Sequence, residues 1–261
     1  MRIASVNVNG IRAAYRKGMG EWLADCDIDI LCLQEVRAND KVVNDFLAKD
    51  WQVHNSNSSI KGRSGVLIAS KLPFLETRVG LEDPDFDESG RWVEADFDVA
   101  GKTLTVASVY LPSGEVGTVR QDEKMQFLDS MTRYLPKVQK QDYGLIVGDL
   151  NVGHTELDIK NWRGNKKRSG FLPEERAYFD GFFNEQGWID IGRTFHGEVP
   201  GPYTWWSNRG QAFTNDTGWR IDYHMANKAL ADKVKDYQID RADSYEERWS
   251  DHAPVVVDYD L

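Results

Sequence analysis

Tyr143-Gly144-Leu145-Ile146-Val147-Gly148-Asp149-Leu150-Asn151 is the stretch from which the rest of the chain can be read. Its apolar run has the makings of a buried strand, and it ends in a carboxylate and a carboxamide. Strand side chains alternate between faces, so Asp149 and Asn151 are expected on one face at the strand's end. An apolar strand gains no stability from ending this way. An acid and an amide converging on a cleft can orient a water, hold a proton or grip a phosphate.

Outward from this strand, short apolar runs alternate with amphipathic stretches. Strands are expected over 2–7, 28–34, 51–55, 64–70, 92–98, 103–110, 143–149, 202–206, 220–226 and 253–259. Helices are expected over 18–25, 40–48, 121–138, 154–160 and 174–186. Val99-Ala100-Gly101-Lys102 reads as a hairpin turn, and Pro200-Gly201-Pro202 breaks the chain before the next strand. No long Gly/Ser/Pro linker, low-complexity tract or repeat interrupts the chain, so residues 1–261 are expected to form a single domain. The fold class is α/β (α+β), with two packed sheets covered by helices. A single open parallel sheet fits less well, because 92–110 reads as antiparallel and the helices are too few for strict alternation.

The 261 residues are 41% hydrophobic and 11% aromatic, enough for a large core. Two cysteines, Cys26 and Cys32, make no disulfide framework and point to a reducing compartment. No apolar run approaches a membrane span. Ile3-Ala4-Ser5-Val6 already reads as strand rather than export leader, so an intracellular, cytoplasmic protein is expected. The net charge of −10 argues at first against nucleic acid. That charge is concentrated, however: residues 81–98 carry −7 and residues 229–261 carry −5, leaving the remainder slightly positive. Basic groups cluster at Arg12, Arg16 and Lys17, at Lys61 and Arg63, and at Lys160, Arg163, Lys166, Lys167 and Arg168. Such a distribution suits a protein that meets an anion on one face.

Other strands also end in residues too polar for a core: Asn7 and Asn9, Glu35, Tyr110, Asp222 within Gly218-Trp219-Arg220-Ile221-Asp222-Tyr223, and Asp251-His252. Each alone reads as a turn or packing residue. Together they resemble the strand-end sites of α/β proteins. Glu35 and Asp251 with amide oxygens form an oxygen-rich set suited to Mg²⁺ or Mn²⁺ rather than Zn²⁺. His252 beside Asp222 makes a carboxylate-oriented imidazole useful against a phosphoryl oxygen. The chemistry implied is metal-assisted phosphoester hydrolysis, with Asp149 and Asn151 handling the attacking water.

The strings Asn7-Val8-Asn9-Gly10-Ile11-Arg12-Ala13, Leu33-Gln34-Glu35, Gly148-Asp149-Leu150-Asn151, Trp219-Arg220-Ile221-Asp222-Tyr223 and Ser250-Asp251-His252-Ala253-Pro254 resemble, in order, those of the exonuclease III family of apurinic/apyrimidinic endonucleases. Tyr203-Thr204-Trp205-Trp206, the Asn161–Phe171 stretch and Phe171-Leu172-Pro173-Glu174-Glu175-Arg176 set this resemblance apart from the wider endonuclease/exonuclease/phosphatase superfamily. The resemblance implies a four-layered sandwich, two mixed β-sheets face to face and flanked by helices. It implies Mg²⁺-dependent incision of double-stranded DNA 5′ to an abasic site, with trimming of 3′ ends. By position it makes Glu35 the main metal ligand, with Asn7, Asn9 and Asp251 near the metal or its waters. Asp149 acts on the nucleophilic water or, by another account, protonates the leaving group, and Asn151 positions that group. His252, paired with Asp222, binds the scissile phosphate, and Tyr110 contacts it. Arg12, Lys17, Arg91, Asn161, Asn165 and Arg168 grip the DNA backbone, while Trp205 and Trp219 wall the pocket for the extruded sugar.

Two positions depart from the family pattern. Ser113 stands where many members carry Asn or Gln, and Asn9 where some carry Asp. Both bear on the balance of endonuclease and exonuclease activity. A superfamily phosphatase acting on inositol or lipid phosphate is the alternative within enzymes, and the basic 161–168 loop and Trp205/Trp219 speak against it. A non-catalytic nucleic-acid-binding relative would have lost some of Glu35, Asp149, Asn151, Asp222 and His252, all of which are present. The chain is expected to act as a monomer without a membrane partner.

Overall fold

A computed structural model describes residues 1–47, 50–60 and 62–261. Lys61 of one basic pair, and Ala48 at the end of the helix expected over 40–48, lie outside the described residues. The strands, numbered along the chain, form two six-stranded sheets. The first contains β1 (Arg2–Asn7), β2 (Ile30–Gln34), β3 (Gln52–Ser56), β4 (Val66–Ser70), β11 (Val234–Ile239) and β12 (Val255–Tyr259), in the order β11-β12-β1-β2-β4-β3. The second contains β5 (Glu76–Val79), β6 (Trp92–Val99), β7 (Lys102–Tyr110), β8 (Tyr143–Asp149), β9 (Ile189–Asp190) and β10 (Asp222–Ala226), in the order β5-β6-β7-β8-β10-β9. Each sheet is mixed, with a parallel pair at its centre: β1 with β2, and β7 with β8.

Alternation along the strands builds the layers. Ile3, Ile30, Cys32, Val106, Leu145, Val147 and Val255 meet between the sheets. Ala4, Val6, Leu31 and Leu33 face outward onto α1 (Ile11–Arg16), α2 (Met19–Asp25) and α3 (Asp40–Leu47). Ala107, Val109, Ile146 and Met225 face α4 (Val119–Gln139) and α6 (Pro173–Asp180), which bring Phe127, Leu128, Met131 and Phe179. Helix, sheet, sheet and helix therefore stack in four layers. Burying apolar area on three separate interfaces at roughly 25 cal/mol per Å² is what holds them. The Val99–Lys102 hairpin forms as expected, with Ala100 and Gly101 at φ 52° and 79°, the conformation a two-residue turn requires.

Two elements differ from the sequence expectation. Residues 202–206 are not a strand: Thr204 and Trp205 both donate their backbone N–H to the Trp219 carbonyl, and only isolated bridges form at Trp205. Pro200 and Pro202 lack the donors a ladder needs. Residues 154–160 give only a 3₁₀ turn at Glu156–Asp158. The Asp158 carboxylate accepts from Thr155 N at 2.7 Å and from Arg220 Nε at 2.7 Å, which fixes the turn, and Ile159 is already extended to meet Trp219. Short or polar elements escaped the periodicity: β5, β9, β11, α1, α5 (Trp162–Asn165), α7 (Ile191–His196) and α8 (Lys228–Ala231). Among the described residues no helix is long and apolar enough to cross a membrane.

Candidate active site

The ends of β1, β2, β7, β8 and β10 open onto one cleft of about 480 Å³. In the second sheet, register sets Tyr110 and Asp222 on either side of Asp149, one residue from each of three adjacent strands. Gly148 makes this row possible. Its φ is 137°, and a Cβ there would stand 2.0 Å from the Val109 carbonyl oxygen, so no other residue fits between β7 and Asp149.

Backbone conformation aims several side chains inward. Asn9, Glu35 and Asn151 lie at φ 46°, 48° and 49°, a left-handed conformation uncommon for residues other than glycine. Asn7 ends β1 on the inter-sheet face and bridges the sheets, donating from Nδ2 to Glu35 Oε1 at 2.8 Å and to Asp149 Oδ2 at 2.9 Å. Asn9 Nδ2 donates to Asp251 Oδ1 at 2.9 Å, and Trp205 Nε1 to Asp251 Oδ2 at 3.1 Å. Asn151 spends its amide N–H₂ on the Leu111 carbonyl at 2.9 Å, which leaves its side-chain oxygen free as an acceptor.

His252 is paired on both sides. Its Nδ1 is 2.9 Å from Asp222 Oδ2, and its Nε2 is 3.7 Å from Asp149 Oδ2. Thr204 Oγ1 donates to Asp222 Oδ2 at 2.6 Å, completing a chain Thr204–Asp222–His252–Asp149. Burial disfavours the imidazolium, but Asp222 and then Asp149 outweigh it and raise the His252 pKa to about 10. Asp149 is fully enclosed, and burial, with Asp222 and Glu35 nearby, pushes its carboxyl up to about 7 against the pull of His252 and Asn7. Asp251 goes the other way: His252, Asn9 and Trp205 overcome its burial and hold it below the ordinary carboxylate value. Burial, with Glu35 and Asp149, raises Tyr110 well above the usual phenol value, so it is a hydrogen-bond donor at neutral pH.

A metal ion fits this donor set. Asp149, Asp222 and His252 each offer a ligand atom within 4.8 Å of one another, but those atoms already bond among themselves or to Asn7 and Thr204. Glu35 and Asp251 also carry bonds, to Asn7 and Arg37 and to Asn9 and Trp205, but with the Asn9 amide they line the cleft and are the more exposed oxygen donors. Asp251 and His252 are consecutive, yet one joins the first group and the other the second.

The remaining sequence candidates divide by position. Arg168, Trp205 and Trp219 line the cleft, the two indoles packed edge to face at 6.0 Å. Arg91 lies behind Tyr110, its guanidinium 5.0 Å from the ring centre and 3.5 Å from Glu123. Asn161 and Asn165 bond to each other on the exposed approach to Arg168, outside the cleft. Arg12 and Lys17 line two neighbouring grooves, Arg12 with Arg37 and Arg63, Lys17 with Asn9 and Asp251. Sequence reasoning missed Arg37, which pairs with Glu35 Oε2, and Lys124, which reaches the Asn151 carbonyl at 2.9 Å. A lysine on the apolar face of α4 was the available signal. It also did not assign Thr204 its place behind Asp222, although the Tyr203–Trp206 string contains it.

Residues 4–252 match the endonuclease/exonuclease/phosphatase family. The chain is 34% identical over 256 residues to an exodeoxyribonuclease of Bacillus subtilis, covering 98% of each chain. It is 33% identical over 264 residues to a DNA-(apurinic or apyrimidinic site) endonuclease of Dictyostelium discoideum, covering 100% of this chain and 71% of that one. Among solved structures, it is similar to an AP endonuclease from Archaeoglobus fulgidus with a TM-score of 0.88, 29% identity and 100% coverage of both chains. A Neisseria 3′ phosphatase bound to a product DNA hairpin is similar with a TM-score of 0.89, 26% identity and the same coverage.

Proposed function

This chain belongs to the endonuclease/exonuclease/phosphatase family, and we propose that it is a Mg²⁺-dependent DNA-repair phosphodiesterase that incises duplex DNA 5′ of an abasic site and trims 3′ ends. The observation that carries this reading is the row Tyr110–Asp149–Asp222 with His252 against it, set across the cleft from Glu35 and Asp251. Glu35, Asp251 and the Asn9 amide would hold Mg²⁺, with Mn²⁺ as a substitute, which supplies Lewis-acid charge at the scissile phosphate.

The chain's own groups supply the rest. His252, protonated at neutral pH, and the Tyr110 hydroxyl donate to phosphoryl oxygens where charge develops. Asp149, with a pKa of about 7, exchanges a proton at working pH, and the free Asn151 oxygen orients the water it meets. Trp205 and Trp219 would receive an extruded sugar without its base. Extruding an abasic nucleotide costs less than unstacking a paired one, and a narrow indole-walled slot excludes the latter by size. Arg168 and the basic 161–168 loop would follow the phosphate backbone, and the DNA supplies the counter-charge for this face despite the acidic total.

The deciding assay uses duplex DNA with one abasic-site analogue, in Mg²⁺ and in EDTA. Incision in Mg²⁺ alone is expected, and a purified wild type that fails to cut would falsify the reading. A recessed 3′ end on undamaged duplex ranks the second activity, and a soluble phosphoinositide covers the phosphatase alternative.

A further inference from the structure

Beneath the cleft lies an ion pair with no exposed surface at all: Lys124 of α4 and Glu175 of α6, 3.0 Å apart and both 0% exposed. We propose that this pair is a positioning element of the active site, holding the three loops that carry Ser113, Asn151 and Arg168 in one arrangement. Lys124 Nζ reaches the carbonyls of Asn151 at 2.9 Å and Ser113 at 3.3 Å, and Ser169 Oγ at 3.3 Å. Glu175 Oε2 accepts from the backbone N–H of Gly170 at 2.7 Å and of Leu172 at 3.0 Å. Its Oε1 accepts from Gln121 Nε2 at 2.8 Å and lies 3.0 Å from Ser169 Oγ. Every bond made by Lys124 apart from the pair itself goes to a loop bordering the cleft.

Packing tightens the same knot. Gly114, at φ 71°, sits so close that a Cβ would be 2.3 Å from Ser169 Oγ and 2.9 Å from the Lys124 stem. A helix-to-helix contact made for stability alone would be served by apolar residues. Replacing a buried ion pair by hydrophobic groups is often neutral or stabilising, so its presence calls for another role. Here the three N–H groups of the ammonium match two carbonyls and a hydroxyl from separate loops. It fixes the backbone of Asn151, whose side chain faces the reacting water, and of Ser169 beside Arg168.

This inference rests on the proposed nuclease reading, so wild type in Mg²⁺ on the abasic duplex is the control. If wild type does not cut, the nuclease reading fails; if it cuts, the variants judge the pair alone. Lys124→Met and Glu175→Gln each strand a buried charge and should lower the melting temperature. The double variant Lys124→Met/Glu175→Gln removes both charges and should melt above either single variant. Its kcat per folded molecule should nevertheless stay about 10–100-fold below wild type, with KM within a few fold, because loop placement is lost. A double variant with wild-type kcat overturns the proposal. Should the Lys124 variants not fold, Ser169→Ala decides: it cuts one tie without stranding a charge, and kcat should fall a few fold, whereas an unchanged kcat rejects the role.

Discussion

The two walls of the cleft use the same residue types in opposite electrostatic states. On the first, Asp251 with Asn9, Glu35 and Asn7 is surrounded by donors, and its carboxyl is held below the ordinary range. On the second, Asp149 shares an enclosed space with Asp222 and His252, and its carboxyl is lifted to about 7. One wall keeps negative charge in place, as the proposed Mg²⁺ would require; the other, with its raised carboxyl, would hold the mobile proton of the proposed reaction. Identical side chains acquire different chemistry because burial and neighbouring charges differ, and the fold sets those neighbours by bringing the Asp251–His252 loop of the first sheet against Asp149 and Asp222 of the second.

Breaking the second wall should have the largest effect. Asp149→Asn and His252→Ala should each reduce single-turnover incision by about 10²–10⁴-fold while leaving binding to the abasic duplex nearly intact. A variant within tenfold of wild type would mean that the proton is handled elsewhere. Substituting the first wall should instead act through the metal: Glu35→Gln should raise the Mg²⁺ concentration for half-maximal activity by at least about tenfold, and high Mg²⁺ should recover part of the rate. Loss of rate with an unchanged metal dependence would erase the distinction between the walls. Arg168 belongs to neither, so Arg168→Ala should weaken binding a few fold and lower the log–log salt slope by about one, with kcat retained.

A smaller effect tests the electrostatics without substrate. Asp149 has its pKa raised from 3.8 to about 7, and His252 from 6.5 to about 10. In both, the native state keeps a proton that the unfolded chain has released, so the metal-free protein loses stability as pH rises. Melting in EDTA should show Asp149→Asn gaining on wild type between about pH 4 and 7. His252→Gln should gain between about pH 6.5 and 10. Parallel curves would show that these groups titrate alike in folded and unfolded chains.

The fold was legible because long strands such as β6, β7 and β8 carry clear alternation and the Val99–Lys102 turn announces itself. Two-residue β9, exposed β5 and the four-residue helices carry too little period to be read. The candidate site was legible where polarity interrupted apolar strands, at Asn7, Glu35, Asp149 and Asp222. What sequence could not supply was conformation: the left-handed backbone at Asn9, Glu35 and Asn151 depends on what the surrounding loops impose. Nor could it show that Lys124 and Glu175, 51 positions apart, meet under the cleft. Such pairs follow from packing of α4 on α6, which no local pattern encodes.

Asp251 and His252 give this architecture a covalent ruler. Consecutive α-carbons joined by a trans peptide are about 3.8 Å apart. On the proposed reading, a single peptide therefore sets the spacing between one residue of the cation-holding wall and one of the proton-holding wall, while Glu35 and Asp149 still depend on how the two sheets sit. Sliding or breathing of the sheets would strain Asn7, which bridges the walls by hydrogen bonds alone, long before it altered that spacing. A thermally loosened form of the protein should thus lose the Glu35–Asn7–Asp149 link before it parts Asp251 from His252, and an insertion of one residue between these two positions should part them while leaving every side chain present.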